Sequence, residues 1–227
     1  MKNNYLQGQV REYRKSAKYD LILNIELEET IIGLMLVAKQ DLYAERIKAS
    51  SNTRLQFKQS IKNKAYINLP SALYLLFENY CSTPPKVNIL KDNRSEKKEL
   101  NESIKFWTLS LPCFNRFREL YYDDKGVKFI PLNLEDLLTP RALAYWAMDD
   151  GYRSNSGFYF CTESYTIEDN WKLKEVCSAR KIKFGLECGI HKHTNGNRLY
   201  VFRTSKSELF TLIRPYIIDH FLYKLEL

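Results

Sequence analysis

The chain spells one order of elements twice, and that repetition constrains its fold more than any single motif. From Glu28, EETIIGLMLVAK reads as a compact apolar helix with Gly33 and Ala38 as small residues. From Thr139, TPRALAYWAMDDG reads as a second, with Ala142, Ala144 and Ala147. Thr139 followed by Pro140 is an N-cap with proline at the first helical position, and Gly151 supplies a stop. After each helix come strand signals, a second helix, two more strands and a closing helix. In the first half these are ERIKAS with RLQFKQS, SALYLLFENY, PKVNIL with IKFWTLS, and CFNRFRELYY. In the second they are GFYFCTES, EDNWKLKEVCSARK, a hairpin FGLECGIHKHTNGNRLYVFRTS with Asn195-Gly196 as the turn signal, and SELFTLIRPYII. The charged stretch KDNRSEKKELNES reads as an exposed hairpin tip. The expectation is an α+β chain in three parts: a tail or cap over 1–27, a first half over 28–138 and a second over 139–227.

Composition narrows the function classes. Lys and Arg number 35 against 27 Asp and Glu, a formal charge of +8, which points to an acidic partner. No apolar run approaches a membrane span, so no membrane association is expected. Five dispersed cysteines without a C-x-x-C pair argue against a disulfide framework, and MKNNYLQGQVREYRK lacks the apolar core of a secretory signal. Lys, Asn, Ile, Tyr and Phe make up 82 of 227 residues while Gly contributes 8; residues with A/T-rich codons are over-used, as in an organellar, mitochondrial gene. Phosphate-cradling glycine loops and a nucleophile elbow are absent. Cys188, His191 and His193 lie close in sequence, but on a strand the cysteine faces opposite to the histidines, against zinc binding.

The segment LAYWAMDDG carries the chemistry. Asp149 and Asp150 occupy the last turn of an apolar helix, where the macrodipole already presents negative charge, so they call for a cation, either a metal or a lysine. A solvated Asp-Gly turn would account for the same letters. At these residues the sequence resembles the LAGLIDADG homing endonuclease family in its single-chain, double-motif form. The resemblance takes in LLTP before the second motif, IIGLML, RLQFKQSIKNKAYI, STPPK, VKFIP and LIRPYIIDHFLYKL, nearly the whole chain from Glu28. It implies two pseudo-symmetric αββαββα halves, with motif helices side by side and two antiparallel sheets forming a saddle over double-stranded DNA with a long asymmetric site. It further implies a monomer that uses Mg²⁺ or Mn²⁺ held by paired carboxylates. By resemblance the acid of the second motif is Asp150, with Asp149 beside it as a further metal ligand, and the pocket lysines are Lys128 and Lys224.

The first motif departs from the family pattern, because GLMLVAKQDLY places Ala38 where an acid is expected. Counting back from RLQF instead puts Asp41 at the acid position, with VAK inserted. On a regular helix three residues add about 4.5 Å of rise and about 300° of rotation, so Asp41 requires a distorted helix end to serve. Without it the chain would nick or only bind, and an RNA-binding maturase acting on a group I intron becomes the alternative.

For nucleic-acid contact the period of two selects Arg46, Lys48, Arg54, Gln56 and Lys58 in the first half. In the second half the candidates are Arg153, Asn155, His191, His193 and Arg198. Arg and Gln match guanine and adenine edges, whereas Lys more often finds phosphate. Reading RLYVFRT as one strand puts Arg198 and Arg203 on opposite faces.

Overall fold

The computed structural model describes residues 20–38, 42–68, 73–91, 100–178 and 184–225. Helix α1 spans Ile25–Met35 and leads to β1 (Leu42–Glu45) and β2 (Arg54–Ser60). Short helices α2 (Lys64–Asn68) and α3 (Leu73–Phe77) precede β3 (Lys86–Lys91) and β4 (Leu100–Trp107). Helices α4 (Asn115–Tyr121) and α5 (Leu134–Leu137) then lead to the second long motif helix, α6 (Pro140–Asp150). After it come β5 (Gly151–Ser154), β6 (Gly157–Phe160), α7 (Ile167–Ser178), β7 (Cys188–His193), β8 (Gly196–Phe202) and α8 (Arg203–Ile213). The two sheets are all antiparallel and share one order, β1-β2-β4-β3 and β5-β6-β8-β7. That shared order is the pseudo-symmetry expected from the sequence. Among the described residues no helix is long and apolar enough to cross a membrane.

The two motif helices lie side by side and parallel, as the contacts at both ends require. Near their N-termini Arg141 of α6 pairs with Glu26 and Glu29 of α1 at 2.8 and 3.5 Å. At the other end the Asp150 carboxylate reaches the backbone of Ala38. Between these contacts Gly33 meets α6 so closely that a β-carbon there would lie 2.2 Å from the Ala142 carbonyl oxygen. Glycine is needed for space. Ala142, Leu143, Ala144, Trp146, Ala147 and Met148 are buried along α6, and Leu55, Phe57 and Phe106 on the inner face of the first sheet belong to the same apolar core as Phe158, Phe160 and Leu199 on that of the second. Apolar burial on this scale is the main favourable term for folding.

Several boundaries differ from the sequence reading. Helix α1 begins at Ile25 rather than Glu28, because Asn24 is the N-cap, its Oδ1 accepting from Leu27 N–H at 2.7 Å. Strand β1 stops at Glu45, so Arg46 and Lys48 belong to a wide turn and not to a strand face. Part of the expected hairpin tip, Leu100–Ser103, is strand; residues 92–99 lie outside the described residues. In the β7–β8 hairpin His193 pairs with Gly196, which leaves Thr194 and Asn195 as the loop. Gly196 has φ 145°, and a side chain there would press on Glu163. Strand β8 ends at Phe202, so Arg203 opens a helix and the strand argument about its face lapses. Gly151 does end α6, but with φ −85° it is an extended residue that any side chain could adopt. Its lack of a β-carbon makes room for Ala147 O and the Phe158 ring, 2.4 and 2.5 Å away from where one would sit.

Candidate active site and nucleic-acid interface

Helix C-termini leave carbonyls without helical partners, and here the ends of α1 and α6 meet and exchange contacts. Ala38 N–H donates to Asp150 Oδ2 at 2.5 Å, a charge-assisted bond that joins the helix ends. Asp150 is only 6% exposed. Each end is also capped by a lysine far away in sequence. Lys128 Nζ donates to Val37 O at 2.8 Å, and Lys224 Nζ donates to Met148 O at 2.5 Å and Ala147 O at 3.3 Å. Cations at helix C-termini complement the dipole. Burial pushes the Lys224 ammonium below the ordinary lysine range, while the Asp149 and Asp150 carboxylates pull it back up. The two acids at the end of α6 therefore have the lysine that their position called for. Ser164 Oγ donates to Ala38 O at 3.0 Å, and Tyr165 Oη donates to Leu36 O at 3.3 Å, so the second half also seals the end of α1.

Gln59 was not singled out from the sequence, yet its Nε2 donates to Asp149 Oδ1 at 3.3 Å. On β2 it alternates with Lys58 and faces inward, toward the helix ends. The same period of two that selected the outward residues would have placed it beneath the sheet. Asp41 lies outside the described residues.

On the outer face of the first sheet, Arg54, Gln56 and Lys58 alternate with the buried Leu55 and Phe57. Register adds Lys105 opposite Lys58, Trp107 opposite Gln56 and Lys86 opposite Lys105. These were missed, although Ile104-Lys105-Phe106-Trp107 has a readable alternation. The arginines come already paired: Arg54 with Glu45 at 2.6 Å, and Arg46 of the turn with Glu119 at 2.6 Å. Lys48 sits in that turn, exposed.

The outer face of the second sheet is aromatic more than basic. Tyr152, Tyr159 and Tyr200 are register partners across three strands, with ring centroids 5.1 and 4.4 Å apart. His191 stacks on Tyr200 at 4.4 Å and its Nδ1 lies 3.0 Å from Tyr159 Oη. Arg198 shares this face, held by Glu163 and by Tyr152 Oη at 2.7 Å. His193 is exposed at the hairpin end, 3.9 Å from Glu163, and Asn155 sits in the exposed β5–β6 turn. Arg153 is a correction: it pairs with Phe158, whose ring is in the core, and so belongs to the opposite face from Tyr152 and Arg198. Cys188 is buried beside Cys177 on the core side.

The model of the LAGLIDADG DNA endonuclease family matches residues 28–210, from the first motif helix to α8. The chain belongs to this family. Among curated relatives, the cytochrome b mRNA maturase bI2 of Saccharomyces cerevisiae is 32% identical over 213 residues, 89% of this chain and 48% of that protein. The chain thus spans about half the length of that relative. The probable intron-encoded endonuclease 1 of Wickerhamomyces canadensis is 28% identical over 226 residues, 95% of this chain and 89% of the relative. The homing endonuclease I-WcaI bound to its DNA recognition sequence superposes with a TM-score of 0.82 at 26% identity, covering 96% of this chain and 92% of that one. The LAGLIDADG architecture therefore extends across both halves.

Proposed function

We propose that this chain is a site-specific double-strand DNA endonuclease of intron-homing type, acting as a monomer on a long asymmetric site. The observation that carries the reading is the meeting of two parallel helix ends at the Asp150–Ala38 bond, each end capped by its own lysine, beneath two sheets. I-WcaI, a homing endonuclease solved on its DNA recognition sequence, supports it. The net charge of +8 suits a polyanionic partner.

The donor chemistry fits Mg²⁺ or Mn²⁺. Hard oxygen ligands suit these ions, and Mg²⁺ needs only one or two carboxylates because water and phosphate complete its shell. Asp150 and Asp149 supply carboxylates at one helix end; Asp41 is the proposed third. It directly precedes Leu42, the first residue of β1, as Asp150 directly precedes Gly151, the first residue of β5, and Leu42 and Gly151 pair with Phe57 and Phe160 in matching positions. A bound divalent ion would stabilise charge on the scissile phosphate and lower the pKa of attacking water. The chain's own residues prepare that chemistry. Ala38 N–H holds one oxygen of Asp150, Gln59 orients Asp149, and Lys128 and Lys224 offset the negative ends of the two helices.

Incubation with Mg²⁺ and a plasmid carrying the intronless insertion site tests the reading. Linear product is expected, with cleavage by Asp150→Asn reduced by about 10³-fold or more while binding survives. Intact DNA under conditions where the wild-type protein binds that site would defeat the nuclease claim. The second reading is an RNA-binding maturase of the same fold acting on a group I intron. Two relatives named as bI2 maturases and the alanine at position 38 favour it. Splicing rescue that persists in Asp150→Asn would select it. The organellar, mitochondrial location belongs to both readings and rests on composition and on the cytochrome b intron relatives.

A further inference from the structure

Gln56 stands on the outer face of the first sheet between its register partners, Tyr43 on β1 and Trp107 on β4. Trp107 Nε1 lies 2.9 Å from Gln56 Oε1. An indole N–H can only donate. The amide orientation is therefore chemically forced: the carbonyl oxygen turns sideways to β4, and the NH₂ group is the part left for a ligand over the sheet. Lys105, two residues before Trp107 on the same face, holds its ammonium 4.8 Å from the indole centroid and pins the ring from above.

We infer that Gln56 reads guanine, with Trp107 as the positioning residue that sets this choice; the inference rests on the DNA-binding reading above. Glutamine recognises adenine by two bonds of opposite sense, accepting from N6 and donating to N7. With Trp107 holding Oε1 toward β4 and occupying one of its two lone pairs, the accepting half of that coplanar pair is disfavoured while both amide hydrogens stay available. Guanine presents two acceptors, N7 and O6, in the major groove, and these suit an NH₂ group with two hydrogens. The usual expectation of adenine for glutamine is reversed here by one cross-strand neighbour.

Duplexes recovered from a randomised pool by binding to the full chain, then sequenced, provide the test. One base pair, defined as the one whose preference Gln56→Ala levels, is expected to carry guanine in the wild-type profile. Trp107→Phe keeps an aromatic ring on β4 but frees the amide, and should admit adenine at that pair by about tenfold while other positions keep their preferences. Gln56→Glu, which leaves the indole in place, replaces donors by acceptors and should move the preference to cytosine. Adenine at that pair in the wild type, no pair altered by Gln56→Ala, or an unchanged profile in either Trp107→Phe or Gln56→Glu would each overturn the assignment. A wild-type protein that enriches no sequence at all would instead overturn the DNA-binding reading, a result distinct from a defined site with the wrong base.

Discussion

Replacing Gly33 by alanine is a direct test of how the two motif helices are held. A β-carbon at this position would lie 2.2 Å from the carbonyl oxygen of Ala142 and 2.9 Å from its carbonyl carbon and Cα. All three are backbone atoms, so no side-chain rotation relieves the clash. Relief requires α1 and α6 to part by about 1 Å, which weakens dispersion contacts along the whole seam. Overpacking of this kind costs about 1–3 kcal/mol, against which alanine's better helix propensity returns at most about 1 kcal/mol. Because the close atoms are backbone, the cost falls in the upper part of that range, about 2–3 kcal/mol, and the net expectation is about 1–2 kcal/mol of lost stability, a Tm lower by about 2–8 °C for a chain of this size. The consequence at the site is larger. The same seam sets the 2.5 Å contact between Ala38 N–H and Asp150 Oδ2, and a misplacement of about 1 Å at a reacting centre can reduce rate about 100-fold. Urea denaturation and plasmid cleavage, measured on the same preparation, check both halves. Gly33→Ala as stable as wild type or more so, as an uncrowded helical glycine would give, would refute the close-crossing argument. Lost stability with unchanged cleavage would refute the link from the seam to the site.

Lys224→Met should preserve much of the apolar stem but remove the cap on Ala147 and Met148, destabilising by about 1–2 kcal/mol and reducing cleavage; thermal denaturation and a cleavage assay measure the two effects, and equal stability would deny the cap a role. Alkaline pH should unfold the protein early. Burial raises the phenols of Tyr121, Tyr122, Tyr145 and Tyr165 above the usual tyrosine value of 10.0 in the folded state, so the unfolded chain releases their protons first. Their contribution is fully present below pH 10 and is lost as pH rises beyond it, by about 1.4 kcal/mol per pH unit for each tyrosine. Lys224, whose folded value is lowered, acts with the opposite sign over the range below its unfolded value, but it is a single group against four. Denaturant midpoints at pH 8, 9, 10 and 11, together with phenolate absorbance, follow this; a midpoint unchanged between pH 10 and 11 would contradict it.

Local pattern was a good guide wherever near neighbours decide structure. Thr139 does cap α6, its Oγ1 accepting from Ala142 N–H at 3.2 Å, and the alternation over Arg54–Lys58 does divide core from surface. It misled where a turn or an edge intervened. Arg46 and Lys48 continue the alternation on paper, but β1 ends at Glu45 and Arg46 is drawn to Glu119, 73 residues away. Arg153 has the side chain expected of a base-reading residue, but pairing with Phe158 puts it on the other face. Gln59 went unnoticed because nothing near it in sequence predicts an acid 90 residues later.

The sequence by itself determined the order of elements, their doubling and the acidic end of the second motif helix. Those depend on apolar period, caps and turn residues, all of which act over a few positions. Only the tertiary structure decided which distant groups meet: the Ala38 amide against Asp150, Lys128 and Lys224 each on its own helix end, and Trp107 against the Gln56 amide on the sheet. The Ala38–Asp150 pair is set by the helix crossing, Gln56–Trp107 by strand register, and the two lysine contacts by where the chain returns past the helix ends. Composition supplied the excess of positive charge. Register divided the surfaces into one sheet face of lysines and paired arginine and another of stacked tyrosines, a division that charge counting cannot express.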